Sequence, residues 1–593
     1  MASGVATREW GSEIETVIGC GLCSDARPPN TDPRTQMRRL AIAALFALSA
    51  LPSPAQQPAG ESIEVRVVNI DVVVRDKAGK PVTGLTKDDF EIFENNKKQE
   101  ITNLYEVRPS APAAAAKVTP QPSNAAAPAA TEAPADARRR NIVMFVDNYS
   151  LAPFQRDKIL KSLQKFIDDD VRPQDQVMLV LCTQQTKVIT PFTSDRKLLQ
   201  QGIESIRQTA SSGFNRQHSV EEIKRRVNEY IDAGKEGKRP WKDYYQMSLS
   251  LVESDTEEVI FASKNTLASL GQTTTALAGM EGKNVLVFAG AHLPEHPGVE
   301  MYQWLYNAFL PYMGNVTFTS EGILGKSGSM QHYSIEEAAK MASVSGVALY
   351  IIDAADTRDT SSAERSSATD QTEQFLTFTN TAMAYQTLAR ISGGMALTNS
   401  QNFDVAFQTV ADDLNSYYSL GFKPSSGADN ARRNLVVKTK NAQYNVRTRE
   451  TYATKSTEDE MSARVIANIN NSDPRGTWKI ELHPGTPEQQ GNEFRVPVEI
   501  SIAPTITLLP QNADLAGGFT VYIVVGSGGR TSKVIKSPHP VKIPAEVEEE
   551  FRMSPMTYKT VILMTRGENI LSTGILDQTS NSSGFARATV TVP

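Results

Sequence analysis

The pattern of hydrophobic and polar residues predicts a buried strand near one quarter of the way along the chain. The apolar run within residues 141–150 ends in an acidic, hydroxyl-bearing turn that contains Asp147 and Ser150. Such a run, followed by a helix-patterned segment, is typical of a strand buried on both faces of a parallel sheet. An aspartate at the end of that strand lies at the carboxyl edge, where open α/β sheets bind ligands. Asp147 is therefore the first candidate functional residue.

The residues that follow alternate between strand patterns and helix patterns. The turn between the second and third strands is short enough to predict an antiparallel hairpin. Alternation of this kind predicts a sheet of mainly parallel strands with helices on both faces. The predicted strands span 142–147, 176–182, 187–192, 284–289, 347–353 and 395–398, and the predicted helices span 154–170, 195–208, 263–280, 334–345, 381–392 and 403–416.

Two segments interrupt this alternation and are interpreted as insertions. Residues 211–262 are polar and mostly helix-patterned, and residues 291–333 are expected to be irregular. The second insertion carries an aromatic cluster between Tyr302 and Tyr312 with near-helical spacing. That spacing favours local packing, and the alternative is that the aromatic side chains anchor a protein partner.

The segments on either side of the α/β unit have strand patterns and turn residues. We expect a multidomain protein with a central, doubly wound α/β domain of the Rossmann-like kind at 141–453. A small N-terminal β module is expected at 56–107, and a C-terminal β-sandwich of immunoglobulin-like type at 470–593. The Ala- and Pro-rich segment 108–140 has almost no large apolar residues, so it is predicted to be a linker.

Length, charge and cysteine content restrict the possible functions. A chain of 593 residues is too long for a single core. The formal net charge of −6 provides no basic surface, so no nucleic-acid partner is expected. Cys20, Cys23 and Cys182 are too few for a disulfide framework or a thiolate metal site.

A secretory signal is predicted within residues 1–55. The basic residues after Met37 precede an apolar segment, 40–51, that is too short to span a bilayer. Small residues follow, and cleavage is expected after Ala55, with Met37 as the true start. We therefore expect a secreted or periplasmic protein with no transmembrane anchor in the mature chain.

Several ordered motifs together resemble a von Willebrand factor A-type domain, in particular that of secreted bacterial proteins in which this domain follows a small β module. The resemblance covers roughly residues 62–453. The motifs are the strand 142–147 with Asp147, the turn 172–176, the segment 388–394, the module signature 82–92, and the closing segments 417–422 and 446–452.

The resemblance implies a metal-ion-dependent adhesion site and a protein partner. Mg²⁺ prefers hard oxygen ligands in near-octahedral geometry, so Asp147 and Ser150 are the predicted metal ligands. The family's two serine positions read Tyr149 and Leu151, and the second carboxylate position reads Ala289. We therefore expect a degenerate site that binds Mg²⁺ or another divalent cation weakly or not at all.

Two further residues bear on this edge of the sheet. Thr266 is a poor candidate for the threonine that the family supplies from a second loop. Asp353 ends another predicted parallel strand, so it either reaches the ligand-binding edge or caps the loop that follows, and capping is favoured.

The leading hypothesis is a non-catalytic, protein-binding protein of the adhesion or assembly type. An alternative is a metal-assisted envelope hydrolase that uses Asp147 with His292, Glu295 and His296. Pro294 breaks the helical turn that a zinc peptidase needs, so a solvated loop is favoured for these residues. A third hypothesis is a purely structural envelope protein that binds no ion.

Overall fold

The computed structural model describes residues 67–108, 139–183, 185–210, 213–313, 328–355, 368–398, 402–425, 429–471, 476–491 and 493–593. The predicted signal segment 1–55 and nearly all of the linker predicted at 108–140 lie outside the described residues.

The described chain begins with four strands that have alternating apolar positions. They are β1 (Val68–Arg75), β2 (Phe90–Glu94), β3 (Lys97–Gln99) and β4 (Ile101–Val107). Side chains at every second position of a strand lie on one face, so each strand buries only part of its residues.

A six-stranded sheet follows and forms the centre of the protein. Its order is β10-β9-β8-β5-β6-β7, and every pairing is parallel except the antiparallel hairpin of β6 and β7. The reversed edge strand was predicted from the short turn. The strands are β5 (Arg140–Asp147), β6 (Gln176–Cys182), β7 (Thr186–Thr193), β8 (Lys283–Gly290), β9 (Val347–Asp353) and β10 (Met395–Leu397).

Helices cover both faces of this sheet. One face packs against α1, α2 and α8, and the other packs against α4, α6 and α7. The α/β architecture predicted from the sequence is therefore present. The helices are α1 (Pro153–Asp169), α2 (Arg196–Gln208), α3 (Gly213–Lys235), α4 (Trp241–Leu277), α5 (Val299–Met313), α6 (Gly328–Val344), α7 (Ala368–Ser392) and α8 (Phe403–Asn415).

The N-terminal β module is completed by strands from beyond the α/β sheet. Strand β11 (Tyr417–Phe422) pairs with both β1 and β4, and β12 (Arg433–Thr439) pairs with β2. Strands β13 (Asn445–Arg447) and β14 (Thr451–Tyr452) add to the two sheets. The expected boundary at residue 453 thus differs from the structure, because the α/β unit ends with α8 and residues 417–452 belong to the β module.

A buried ionic cluster joins the β module to the amino edge of the central sheet. Asp413, at the end of α8, is fully buried and accepts a hydrogen bond from Nε of Arg75 at 2.9 Å. Arg447 donates to the other carboxylate oxygen of Asp413. Lys283, at the start of β8, lies 3.6 Å from Asp71 of β1. The β module therefore covers the edge of the sheet that is opposite to Asp147.

The two predicted insertions form one helical projection, which consists of α3, the first half of α4, and α5. Helix α4 is about 55 Å long at 1.5 Å per residue, whereas the adjacent β8 spans only about 26 Å. Since α4 ends beside the start of β8, its first half extends beyond the carboxyl edge. The aromatic cluster was predicted to pack locally, and it supplies Trp304 and Phe309 to the core of this projection. Helix α4 adds Tyr244 and Tyr245 to the same core. The expectation of an irregular segment at 291–333 was wrong for 299–313, because helical spacing of its apolar residues lets α5 pack on α4.

The C-terminal region consists of two β-sheets that share a core, preceded by a short helix. Helix α9 (Thr457–Asn468) begins after Ser456, whose hydroxyl accepts a hydrogen bond from the amide of Asp459 at 3.1 Å. The sequence had indicated no helix there. The strands are β15 (Ile480–Pro484), β16 (Glu488–Gln490), β17 (Glu493–Ile502), β18 (Leu509–Gln511), β19 (Asp514–Ser527), β20 (Arg530–Thr531), β21 (Ile535–Pro544), β22 (Met556–Met564), β23 (Gly567–Asp577) and β24 (Ser583–Val592), and α10 (Glu548–Met553) lies between β21 and β22.

The C-terminal region also contacts the free side of β7. The amide of Phe192 donates to the carbonyl oxygen of Asn470 at 3.0 Å. This contact covers an edge strand that would otherwise present unpaired backbone groups. Among the described helices, none is both long enough and apolar enough to cross a membrane.

Candidate functional site

The parallel strand register places four residues side by side at the carboxyl edge. Asp147 pairs with Cys182 on β6, and Gly290 pairs with Asp353 on β9. Because Val146 pairs with Ala289, Gly290 lies between Asp147 and Asp353 in this row. Residues two apart on a strand share a face, so Asp147 lies on the same face as Phe145, toward α4, α6 and α7.

Asp147 is buried, with only 1% of its surface exposed. Its Oδ1 accepts a hydrogen bond from the amide of Tyr149 at 3.2 Å, and its Oδ2 accepts one from the hydroxyl of Ser150 at 2.8 Å. Both of these donors are neutral groups, so neither hydrogen bond brings a positive charge to the carboxylate. Burial raises the pKa of Asp147 to about 6, while the hydrogen bonds from Ser150 and Tyr149 partly oppose that rise.

Ser150 connects the loops that follow β5 and β8. Its hydroxyl oxygen accepts a hydrogen bond from the amide of Ala291 at 3.0 Å while its proton is donated to Asp147. The two predicted ligand residues thus lie together, as the sequence indicated. We call Asp147, Ser150 and the backbone of Ala291 the Asp147 corner.

The residues around the Asp147 corner depart from the ligand pattern that the family resemblance implies. Gly290 and Ala289 provide no carboxylate from β8, and Thr266 lies within α4 rather than on a loop. The Ser150 hydroxyl already has a donor and an acceptor partner inside the protein. Among the described residues, no group of three or more His, Cys, Asp or Glu side chains is arranged to hold a metal ion. Cation binding by Asp147 and Ser150 stays a prediction.

The other positions of the family motif have different roles. Leu151 is fully buried in the core that α1 and α2 form with the sheet. The hydroxyl of Tyr149 donates to Glu258 of α4 at 3.1 Å, at an exposed position. Asp353 accepts a hydrogen bond from the amide of Ala355 at 3.0 Å, which is the loop-capping contact favoured from the sequence.

The histidine-containing segment lies beyond β8 but forms no helix. Asn380 of α7 binds the backbone of His296 twice, donating to its carbonyl oxygen at 2.8 Å and accepting from its amide at 2.7 Å. Glu295 is buried, whereas His292 and His296 are half-buried. This segment is therefore held against α7, rather than being the solvated loop favoured from the sequence.

Two groups of residues near the site were missed by sequence reasoning. Buried Arg156 donates to Oδ1 of Asn148 at 2.8 Å and to the carbonyl oxygen of Arg207 at 2.9 Å. Thr381 and Tyr385 of α7 are also buried, and their hydroxyl oxygens have no hydrogen-bond partner among the residues that the structure describes. Nothing in the sequence marks Arg156, because the backbone carbonyls of Arg207 and Thr209 that it binds belong to a distant segment.

Tyr385 lies close to the row of strand ends. Its ring is 5.8 Å from that of Phe288, at an interplanar angle of 60°. Burial, followed by the negative charges of Asp353 and Asp147, raises the pKa of Tyr385 well above its ordinary value. The hydroxyl is thus within electrostatic range of both carboxylates and stays protonated.

Comparisons with known proteins add only distant similarities. No family model and no curated protein matches the chain. Its structure is similar to that of an aerotolerance-related membrane protein from Bacteroides fragilis, with 10% identity and a TM-score of 0.22, over 46% of this chain and 98% of that one. It is also similar to BatB from Bacteroides thetaiotaomicron, with 11% identity and a TM-score of 0.21, over 46% and 98% of the two chains.

A third similar structure is a von Willebrand factor type A protein from Catenulispora acidiphila. The identity is 8% and the TM-score is 0.22, over 77% of this chain and 66% of that one. The family that the sequence motifs resemble thus recurs among the similar structures. At these scores the similarities carry no argument about function, and the α/β fold rests on the strand order and register described above.

Proposed function

We propose that this is a secreted or periplasmic, non-catalytic protein that binds another protein at the carboxyl edge of its central sheet. The binding domain is of the von Willebrand A type, with a degenerate metal-ion-dependent adhesion site at the Asp147 corner. The β module and the C-terminal β-sandwich, of immunoglobulin-like type, hold this domain in place.

The observation that carries the proposal is the position of four exposed phenylalanines. Phe154, Phe261, Phe375 and Phe378 are 62%, 60%, 67% and 37% exposed, and all four are on helices of the α/β domain. Phe154 is in the first turn of α1, directly after the loop of the Asp147 corner. Helices α4 and α7 both end at the amino edge of the sheet. Measured back along each helix from that end, Phe261 and Phe375 lie at about 25 Å, which is level with the carboxyl edge.

Exposed aromatic side chains support a binding role because they bring a large apolar area at a small cost in side-chain entropy. The amino edge of the sheet and its β7 edge already have partners within the chain. The β module covers the amino edge through Asp413, and residue Asn470 covers β7. The carboxyl edge and the helical projection are therefore the surfaces that we assign to the partner.

Site-specific photo-crosslinking in the cell envelope tests this proposal. A photoreactive phenylalanine analogue replaces Phe261 or Phe375 in separate full-length proteins. Matched controls place the same analogue at Met553 on the C-terminal region and at Val436 on the β module, which are 82% and 41% exposed. We expect one common crosslinked protein from positions 261 and 375 and none from the controls.

The opposite pattern overturns the proposal. Crosslinks that form only at 553 or 436 place the binding surface elsewhere, and the absence of crosslinks at all four positions argues for the purely structural alternative. Repeating the experiment with a chelator tests separately whether a cation takes part in binding.

A further inference from the structure

Strand β22 is an edge strand of the C-terminal region. Among the described strands it pairs only with β17, in one unbroken antiparallel register that runs from Met556 with Ile502 to Met564 with Phe494. Strand β15 pairs with β17 from the other side, so β22 is the last described strand on its own side of the sheet. An edge strand presents a row of backbone N–H and C=O groups to the outside, and proteins usually protect such a row.

The strand register shows which residues of β22 face outward. Pro497 of β17 pairs with Val561, and the carbonyl oxygen of Pro497 accepts a 2.7 Å hydrogen bond from the amide of Gly485, which follows β15. In an antiparallel strand both backbone groups of a residue point to the same side, so Pro497 faces β15 and the backbone of Val561 points away from β17. The same holds at every second position of β22. We call the outward-facing set the β22 edge, which consists of Thr557, Lys559, Val561 and Leu563.

The other sheet of the sandwich protects the edge of β21 with proline. The carbonyl oxygen of Gly518, which pairs with Pro540, accepts a hydrogen bond from the amide of Gln578 at 2.9 Å. Gly518 therefore faces β23, and Pro540 points outward together with Pro538 and Pro544. Because proline has no N–H group, the edge of β21 lacks donors at these positions and resists the addition of a strand. The β22 edge contains no proline and keeps all of its donors.

The composition of β22 favours pairing with a further strand. The strand is rich in Thr, Tyr, Val and Ile, and Lys559 is its one charged residue. An edge of this kind tends to pair with another chain. A lysine on an edge usually opposes such pairing, but Nζ of Lys559 lies 3.8 Å from the carboxylate of Glu499 on β17, so its charge is balanced within the same sheet.

We propose that the β22 edge pairs antiparallel with the β22 edge of a second copy of this chain, so that two C-terminal regions share one continuous sheet. This inference goes beyond the proposed function, which concerns the carboxyl edge of the central sheet. The register is centred on Thr560. Thr557 then lies opposite Leu563 of the second copy, and Lys559 lies opposite Val561, so every residue of the edge has a partner.

Symmetry and charge favour a second copy as the occupant. The β22 edge is symmetrical about Thr560, so a two-fold axis at this residue brings all of its outward-facing backbone groups into hydrogen-bonded pairs. Between these pairs, Tyr558 lies opposite Ile562 and Thr560 lies opposite itself, which are aromatic and β-branched neighbours of the stabilising kind. The two copies of Lys559 are diagonal rather than opposite, and with the two copies of Glu499 the charges at the contact sum to zero.

Sedimentation velocity of the full-length protein at increasing concentration measures the association. Pairing along one strand buries less than the roughly 1,200–2,000 Å² of a standard interface, so we expect a weak dimer whose fraction rises with concentration. Val561→Pro removes an outward-facing N–H and leaves the bonds to β17 in place. By symmetry it acts on both copies, so we expect a dissociation constant about tenfold larger or more. Val561→Thr keeps the N–H and is the matched control with unchanged association.

A cysteine at the two-fold axis tests the register. Across a non-hydrogen-bonded pair the Cα atoms are about 4.5 Å apart, which allows a disulfide, so Thr560→Cys should form a covalent dimer on mild oxidation. Thr557→Cys is the matched control, because Thr557 lies about 20 Å from its counterpart in this register. Cys20 and Cys23 are replaced by serine in both variants, and Cys182 is buried.

Three results overturn the inference. They are a protein that stays monomeric at all concentrations, an unchanged dissociation constant in Val561→Pro, and equal disulfide yields from Thr560→Cys and Thr557→Cys. A strand of a different protein on this edge would leave the purified chain monomeric, so that outcome excludes the second copy as the occupant. Melting curves check that Val561→Pro folds, and the cysteine pair tests the inference if it does not.

The inference and the proposed function fail separately. Positions 261 and 375 report on the carboxyl edge of the central sheet, whereas the β22 edge is on the C-terminal region. Met553 lies outside the strand, on α10, where the neighbouring Arg552 donates to the carbonyl oxygen of Ile506 at 3.3 Å. Pairing of the β22 edges is therefore not expected to give a crosslink at position 553.

Discussion

The hydroxyl of Ser150 donates a 2.8 Å hydrogen bond to Oδ2 of Asp147, its neighbour three residues earlier in the chain. The same hydroxyl oxygen accepts from the amide of Ala291, which follows the adjacent strand. A buried carboxylate is thereby stabilised by neutral donors rather than by a cation. This relationship determines how the Asp147 corner responds to pH and to metal ions.

Replacing Asp147 by Asn should stabilise the protein at neutral pH. The pKa of Asp147 rises from 3.8 to about 6 on folding, so the folded state binds the proton more tightly than the unfolded state. Protonation of Asp147 therefore adds about 3 kcal/mol to the free energy of unfolding. This contribution is complete below pH 3.8 and is lost as pH rises through 6. Asn stays neutral throughout. Urea denaturation between pH 4 and pH 8 should show this loss in wild type only, and equal pH profiles in both proteins would refute the prediction.

Divalent cations should have little effect on stability. A ligand that binds only the folded state raises its stability by about 2.7 kcal/mol at a concentration of 100 times Kd, so even moderate binding is detectable. Because the Ser150 hydroxyl is engaged on both sides, we expect equal melting temperatures with Mg²⁺ and with a chelator. A rise with Mg²⁺ that disappears in Asp147→Ala would instead establish Asp147 as a ligand.

The substitution Asp413→Asn should destabilise the protein by about 3–5 kcal/mol, because it leaves Arg75 and Arg447 without their buried counter-charge. Denaturant unfolding measures this loss. The adjacent residue Asp412 is exposed and accepts a 3.2 Å hydrogen bond from Gln408, so Asp412→Asn is the matched control. Similar effects of the two substitutions would show that the ionic cluster does not stabilise the contact between the β module and the sheet.

The substitution Gly394→Ala should disrupt the pairing of β9 and β10. A Cβ atom there would lie 1.9 Å from the carbonyl oxygen of Leu349, which is backbone and cannot rotate away. We expect a loss of about 3 kcal/mol in the free energy of unfolding. Gly271→Ala in α4 is the control, since its nearest atom is the flexible Met341 Sδ at 3.5 Å and alanine favours a helix. Two equally stable variants would contradict the prediction.

The local pattern of the sequence was sufficient to predict the central sheet. The apolar runs that end at Asp147, Cys182 and Asp353 became parallel strands with the expected ends, because a strand buried on both faces must be apolar along its length. The hairpin to β7 followed from its short turn. The β module was only half predicted, since the pairing of Ile70 with Leu420 depends on contacts between residues far apart in the chain.

At the candidate site, the sequence by itself determined that Asp147 and Ser150 lie together at a strand end, because two residues three positions apart in one turn cannot separate. Only the tertiary structure decided that Asp147 is buried, that Ala291 binds Ser150, and that Tyr385 lies near the carboxylates. A tyrosine on the apolar face of a helix has the same pattern as a core residue. Whether its hydroxyl has a partner depends on groups from other strands, and a linear pattern contains no information about which strand ends meet it.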